Sequence, residues 1–147
     1  MAAGGLEPIE GEVQKDGQMV YCSQRTDDAP GDLEAFLLDT DRVAHRLRGQ
    51  LNVCEDFATR WDTLSHGERK RAQLAVALWQ KPHILAVDEP TNHLDLPAVL
   101  ALEEALDTCR ASLLLVSHDQ RFLRRLTDKI WHIENGELAE KYFGSIR

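Results

Sequence analysis

The sequence predicts an α/β fold in which helices cover a parallel sheet. Two short apolar runs, Ile84 to Val87 and Ser112 to Ser117, have the composition of strands that are buried on both faces. A helical segment with Pro97 in its first turn lies between them. Parallel neighbours in a sheet need a long crossover, usually a helix, so this alternation indicates parallel core strands.

Two short helices are expected before the first of these strands. Leu33 and Phe36 recur at helical spacing on one, and Val43 and Leu47 on the other, which Gly49 is expected to end. Neither segment alternates as a strand does. Both are therefore assigned to a small helical subdomain.

A longer helix completes this subdomain, which is expected to span about residues 27–80. The helix starts at Ser65 and Glu68, which have the Ser-x-x-Glu spacing of a capping box. Pro82 prevents the helix from continuing, because proline lacks the backbone N–H that a helix interior needs.

The α/β core is assigned to residues 12–24 and 82–143. Each part is expected to contain a β-hairpin, because Asp-Gly at residues 16–17 and Asn-Gly at residues 135–136 tolerate the positive φ of tight turns. The first hairpin would pair Glu12 to Lys15 with the strand that follows.

Composition argues against several kinds of function. A net charge of −8 disfavours a general nucleic-acid-binding surface. No apolar run approaches the roughly 20 residues of a membrane-spanning helix, and no secretory signal is visible. The three cysteines are widely spaced and the six histidines lack zinc-ligand spacing. We therefore expect a cytoplasmic protein with reduced thiols, without zinc and without membrane insertion.

Two carboxylates follow the first core strand. Asp88 and Glu89 come at its carboxyl end, the edge of an α/β sheet where ligand sites form. One such carboxylate can hold Mg²⁺ while the other positions or deprotonates a water. A pair of acids in this position is by itself more often a solvated strand end, so the interpretation depends on its neighbours.

Those neighbours resemble the ATP-binding-cassette (ABC) ATPase family. The run from Asp88 to Asp95 is similar to its Walker B, catalytic-glutamate and D-loop segment, and Leu64 to Glu68 is similar to its signature motif. Ser117 to Asp119 resembles the switch-histidine motif, and Gln24 resembles the Q-loop glutamine. Four elements in the family's order identify the chain as a member, and imply part of a P-loop NTPase fold.

One branch of the family is closer than the others. Thr91 to Asp95 is similar to the soluble ABC-F proteins, whereas transporter cassettes more often differ at Asn92 and His93. ABC-F proteins carry two cassettes on one chain and act on ribosomes in translation or antibiotic resistance. The resemblance therefore implies a second ABC cassette and a ribosome as partners, with ATP and Mg²⁺ as cofactors.

The resemblance also implies roles at the strand ends. Asp88 would hold Mg²⁺ through its water shell, and Gln24 would coordinate the metal or sense the nucleotide. Glu89 would act as the general base on the attacking water. His118 would contact the γ-phosphate as the bond breaks.

The signature residues have an implied role in the opposite cassette. Ser65, Gly67 and Glu68 would bind the ATP held mainly by that partner, since a helix start attracts anions. Asp95, in the D-loop, belongs to the same nucleotide-binding set. His66 stands where the family usually has glycine. For Ser65, simple helix capping is the plainer alternative.

The family's phosphate-binding loop has no counterpart in these 147 residues, which contain no Gly-Lys dipeptide. Gly5 to Glu12 is similar to the stretch that follows the Walker A helix. Residues 1–147 are therefore interpreted as the C-terminal portion of one ABC ATPase domain, inactive alone although its parent would be an ATPase. In the family the Walker A strand lies beside the switch-histidine strand, so Leu113 to Val116 is expected to form an unpaired apolar edge.

Two other functions stay open at this point. The chain would serve as a non-catalytic module that docks on another cassette, or as the nucleotide-binding subunit of an ABC transporter. Residues Asn92 and His93 disfavour the transporter.

Overall fold

The computed structural model describes residues 16–142. The strands and helices follow in chain order: β1 (Met19–Cys22), α1 (Leu33–Leu38), α2 (Arg42–Gln50), α3 (His66–Trp79), β2 (Ile84–Asp88), α4 (Leu96–Asp107), β3 (Ser112–Val116), α5 (Gln120–Leu126), β4 (Lys129–Glu134) and β5 (Glu137–Tyr142). Two single turns of 3₁₀ helix, at Glu55–Phe57 and Trp61–Thr63, connect α2 to α3.

The main sheet is parallel and has the order β1-β2-β3. Met19 lies opposite Ile84, and Ile84 lies opposite Ser112, so the three strands start at the same level. Each step from strand to strand passes through at least one helix, as parallel pairing requires. The predicted α/β class with parallel core strands is confirmed.

The first predicted hairpin is only partly within the described residues. Gly17 has a φ of 92°, as a turn at this position needs. The expected partner strand, Glu12 to Lys15, lies outside the described residues. Within them, β1 instead pairs in parallel with β2.

The prediction that Gly49 ends α2 is wrong. The helix continues to Gln50 and is capped at Leu51. The residue that leaves the helix in the left-handed conformation is Asn52, with a φ of 51°. Asparagine tolerates this conformation, so the glycine was not needed for it.

One hydrophobic core joins the helices to the sheet. Phe36 of α1, Leu74 of α3, Leu85 of β2 and Leu102 of α4 are all fully buried in it. Because α3 packs against β1 as well as against α1 and α2, it connects the helical segment to the sheet. The division at about residues 27 and 80 stays a prediction.

The closing hairpin forms as the sequence predicts. β4 and β5 pair antiparallel, and the connecting Asn135 and Gly136 have φ values of 52° and 81°. Both values are positive, which a two-residue hairpin turn of this type requires. Of the helices within residues 16–142, none combines the length and apolarity needed to cross a membrane.

Candidate functional site

The predicted catalytic segments leave the sheet at one edge. Asp88 lies opposite Val116 in the parallel register, so the loops that hold Gln24, Glu89 and His118 all follow carboxyl ends of neighbouring strands. This edge is where open α/β sheets bind ligands, because the loops from adjacent strands converge there.

A small cavity of about 200 Å³ lies at this edge. Its lining includes Gln24, His66, Lys70, Glu89, Asn92 and His93. The structure thus brings together Gln24 and Glu89, which are 65 residues apart in the sequence. His66, the first residue of α3, lines the same cavity. Glu89 is 7% exposed, so its carboxylate is largely shielded from bulk water.

Glu89 is held in an unusual backbone conformation. Its φ is 46°, in the left-handed region that costs a non-glycine residue about 1 kcal/mol or more. Its N–H donates to the carbonyl of Val116 at 2.8 Å, which fixes the residue against the end of β3. Backbone strain that neighbours maintain is characteristic of functional sites.

His118 contacts Glu89 directly. Its Nε2 lies 3.4 Å from Oε1 of Glu89, and its side chain is otherwise exposed to solvent. The imidazole can therefore share a proton with the carboxylate and still reach a ligand on its open side. The two predicted catalytic residues, Glu89 and His118, are therefore in contact.

Lys70 is a site residue that the sequence analysis did not identify. It is 3% exposed, and its Nζ donates to the carbonyls of Ser23 at 2.7 Å and Asp88 at 3.0 Å. Burial lowers the pKa of this ammonium group. The sequence did contain a signal that Lys70 is buried. It precedes Leu74 by one helical turn, so the two residues share the apolar face of α3. The lysine ties the ends of β1 and β2 to the signature helix.

The oxygen donors at the edge fit a magnesium ion. Asp88 accepts a hydrogen bond from the Tyr21 hydroxyl at 3.4 Å; burial, then the charge and hydrogen bond of Asp88, raise the pKa of that hydroxyl. Asp88, Glu89 and Gln24 offer carboxylate and amide oxygens, which Mg²⁺ prefers. Within residues 16–142 no three His, Cys, Asp or Glu side chains form a ready metal cage.

The signature segment begins α3 with a complete capping box. Oε2 of Glu68 accepts from the N–H and the hydroxyl of Ser65, each at 2.8 Å, and Oγ of Ser65 accepts from the N–H of Glu68 at 3.3 Å. These hydrogen bonds lower the pKa of Glu68. Helix capping by Ser65, the plainer alternative, is therefore present in the structure.

Gly67 brings the signature helix against the D-loop. A Cβ atom at this position would lie 2.6 Å from the carbonyl oxygen of His93, closer than any side chain tolerates. The rings of His66 and His93 also lie near each other, with centroids 5.2 Å apart. The predicted signature and D-loop segments thus form one continuous surface.

Asp95, like Ser65, caps a helix, and of the predicted site residues only Gln24 and Glu89 line the small cavity. Asp95 is the N-cap of α4, and its Oδ1 accepts from the N–H of Ala98 at 2.9 Å. Its side chain does not line the cavity that holds Glu89. Its predicted part in nucleotide binding stays a prediction.

The parallel sheet and its covering helices define an α/β protein of the P-loop class. The ABC transporter family matches residues 1–92, and the chain belongs to this family.

Three similar proteins illustrate the relationship. The chain is 37% identical over 146 residues to the ATP-binding protein Uup of Caulobacter vibrioides, covering 94% of this chain and 23% of that protein. It is 35% identical over 98 residues to ABC transporter F family member 4 of Dictyostelium discoideum, covering 66% and 9%. A solved structure of the archaeal ribosome recycling factor aABCE1, in complex with the ribosomal stalk protein aP1, superposes with a TM-score of 0.75 at 26% identity. That superposition covers 91% of this chain and 29% of the other.

These relatives confirm the predicted resemblance to ABC-F proteins. The chain spans less than a quarter of the length of either curated relative.

Proposed function

We propose that this chain forms the Walker B, signature and switch-histidine part of an ABC-F-type ATPase cassette. The observation that carries the proposal is the strained, shielded Glu89 at the end of β2, in contact with His118 and sharing a cavity with Gln24. In this arrangement Glu89 accepts the proton of a water that attacks the γ-phosphate of ATP.

The neighbouring residues would orient the reaction. His118 donates from its open side to the phosphate oxygens as charge accumulates on them. Asp88 and Gln24 hold the Mg²⁺ that neutralises the phosphates. The N–H groups at the start of α3, beside Ser65 and Gly67, serve a γ-phosphate held by a facing cassette.

The proposed partners follow from the relatives' names. A ribosome recycling factor, solved in complex with a ribosomal stalk protein, is among the similar structures, which supports a role in translation. A second cassette, on the same polypeptide or another, completes the nucleotide site. The cytoplasm is the proposed location.

Turnover is proposed for the two-cassette protein and not for these 147 residues alone, since they hold no Gly-Lys dipeptide for a phosphate-binding loop. We expect no magnesium-dependent ATP hydrolysis by the isolated chain. Hydrolysis that disappears on Glu89→Gln would show this part of the proposal to be wrong.

The test of Glu89 is made in a protein that supplies the phosphate-binding loop and the facing cassette. There Glu89→Gln should lower turnover about 100-fold or more while ATP binding is kept, because the water loses its base. Glu104→Gln, on the exposed side of α4, is the matched control and should leave turnover unchanged. Equal turnover in both variants would remove Glu89 from the mechanism.

A further inference from the structure

A larger cavity, of about 730 Å³, lies at the opposite edge of the sheet from Glu89. His83 and Ala111, which immediately precede β2 and β3, form part of its lining, and Ser112 donates to the carbonyl of His83 at 2.9 Å. The remaining walls come from α2, from the last turns of α3 and α4 and from the residues that follow these two helices. The full length of β2, about 16 Å at 3.3 Å per residue, separates it from the candidate catalytic edge.

The charged residues that line this cavity are all basic. They are Arg46, Lys81 and Arg110, with the imidazole of His83 beside them, and the part of the lining within residues 16–142 contains no Asp or Glu. The whole chain, by contrast, has 25 acidic residues and 17 lysines and arginines. A purely basic cavity on a chain with a net charge of −8 is a local feature, since the composition as a whole favours the opposite sign.

The two arginines have unused hydrogen-bonding capacity. Arg46 and Arg110 are exposed, and with respect to residues 16–142 neither side chain forms a hydrogen bond or an ion pair. Lys81 interacts with the charge of Asp39. Nδ1 of His83 accepts from the N–H of Gln18 at 3.2 Å, which leaves Nε2 as the donor of that ring.

Helix dipoles do not account for the cluster. Lys81 follows the end of α3 and could offset the negative end of that helix. Arg110 follows the end of α4 and could do the same there, but Arg46 lies in the middle of α2, so the cluster as a whole is not explained in this way. The dipole effect fades within one turn of a helix end.

The same cavity has an apolar wall. Leu47 and Leu78 are buried beneath it, and Val43 and Pro82 contribute further apolar surface. Ligand pockets for molecules of nucleotide size enclose roughly 300–1,000 Å³ and combine such surfaces with a few polar groups. An apolar wall beside two free guanidinium groups suits a ligand with a ring at one end and phosphate at the other.

We propose that this basic cleft binds a small phosphate ester with an apolar or aromatic body, such as a nucleotide, at a site separate from the Glu89 edge. Arg46 and Arg110 hold the phosphates through paired N–H donors. The apolar wall that contains Leu47 and Leu78 contacts the apolar or aromatic body of the ligand. This site is independent of the proposed ATPase activity.

The experiment uses ADP without magnesium as the probe, with calorimetry on the 147-residue chain. Arg46→Glu and Arg110→Glu should each weaken binding about tenfold or more, because each replaces a phosphate donor with a like charge. Lys141→Glu, an exposed charge reversal on β5 that is not part of the cleft lining, is the matched control and should bind as the unaltered chain does. Circular dichroism should show that all three variants fold.

Cys109 reports where ADP binds. This half-buried thiol lines the cleft, while Cys22 is buried. In a Cys54→Ser background, which removes the exposed thiol, ADP should slow alkylation of Cys109 by iodoacetamide, and Arg46→Glu should abolish that protection. Absence of ADP binding, binding without protection of Cys109, or equal weakening by Lys141→Glu would each overturn the proposal.

Discussion

Gly67 is the residue with least room in the candidate site. A methyl group there would meet the backbone carbonyl of His93 at 2.6 Å, and backbone cannot move aside as a flexible side chain does. The close approach of the signature helix to the D-loop therefore depends on the absence of a side chain at this one position.

In Gly67→Ala, overpacking that forces α3 or the D-loop to shift should cost about 1–3 kcal/mol. Because alanine gains roughly 1 kcal/mol over glycine in a helix, the expected net loss of stability is up to about 2 kcal/mol. Gly49→Ala is the matched control, because Gly49 is also helical and nothing lies within 4 Å of its added Cβ. Urea unfolding should show a loss for the first variant and a small gain for the second. A gain for both would mean that the contact with His93 is not rigid.

Cys22 gives the chain a dependence on alkaline pH. Burial raises the pKa of its thiol from 9.0 to about 11, against a smaller opposite effect of the Lys70 charge. The folded state thus retains a proton that the unfolded chain releases. The stabilisation is complete below pH 9 and is lost as pH rises towards 11, by up to about 3 kcal/mol.

The measurement compares unfolding free energies at pH 9 and pH 11 for the chain and its Cys22→Ala variant. The loss of stability across this interval should be smaller in the variant. Lys70, whose pKa burial lowers, acts with the opposite sign and interacts electrostatically with Cys22, so the comparison measures the contribution of Cys22 together with its coupling to Lys70. Cys54→Ala, at an exposed position, should keep the original dependence. An unchanged dependence in Cys22→Ala would refute the assignment.

At the scale of elements, α3 connects the site to the core. Its first turn is fixed by the Ser65 and Glu68 capping box, and Lys70 on its buried face binds the carbonyls at the ends of β1 and β2. Its later residues, including Leu74, pack in the core. One helix therefore fixes the signature segment relative to the strand ends that carry Glu89.

Ser65→Ala should cost about 1 kcal/mol of stability, because the N–H of Glu68 loses its acceptor and the Glu68 carboxylate loses a donor. Ser65→Thr should restore most of the loss, since threonine keeps the hydroxyl and fits a capping box. Chemical denaturation of the three proteins measures both effects. Equal stability of the serine and alanine forms would show that the cap contributes nothing.

At the scale of the whole molecule, the sheet has an open side. Among residues 16–142, β3 pairs with β2 alone, and Val116 at its end is 56% exposed. A parallel sheet is ordinarily covered, and an apolar strand with free N–H and C=O groups is a template for pairing with another chain. The apolar edge predicted for Leu113 to Val116 is present within this part of the chain.

We expect the isolated chain to self-associate as its concentration rises. Val116→Lys should reduce this association in sedimentation velocity, because a lysine on an edge strand opposes pairing. Leu38→Lys removes an exposed leucine on α1, away from the edge, and should leave association unchanged. A chain that stays monomeric at about 100 µM, where exposed edges typically associate, would contradict the expectation.

The sequence by itself determined the features that depend on residues close together in the chain or on the order of helices and strands. The Ser65–Glu68 cap and the Asn135–Gly136 turn involve residues at most three positions apart, so local geometry specifies them. The apolar runs predicted parallel core strands, and the resemblance to the ABC family implied that Gln24, Glu89 and His118 act at the ends of such strands. The observed register places all three at one edge.

Tertiary structure alone decided the contacts between distant segments. Lys70 reaches Ser23 across 47 positions of sequence, Gly67 meets His93, and the basic cleft draws its arginines from α2 and from the connection between α4 and β3. No periodicity or spacing encodes such meetings, because they depend on how helices pack once the sheet is formed. The sequence thus indicated where the chemistry lies, and packing determined which residues surround it.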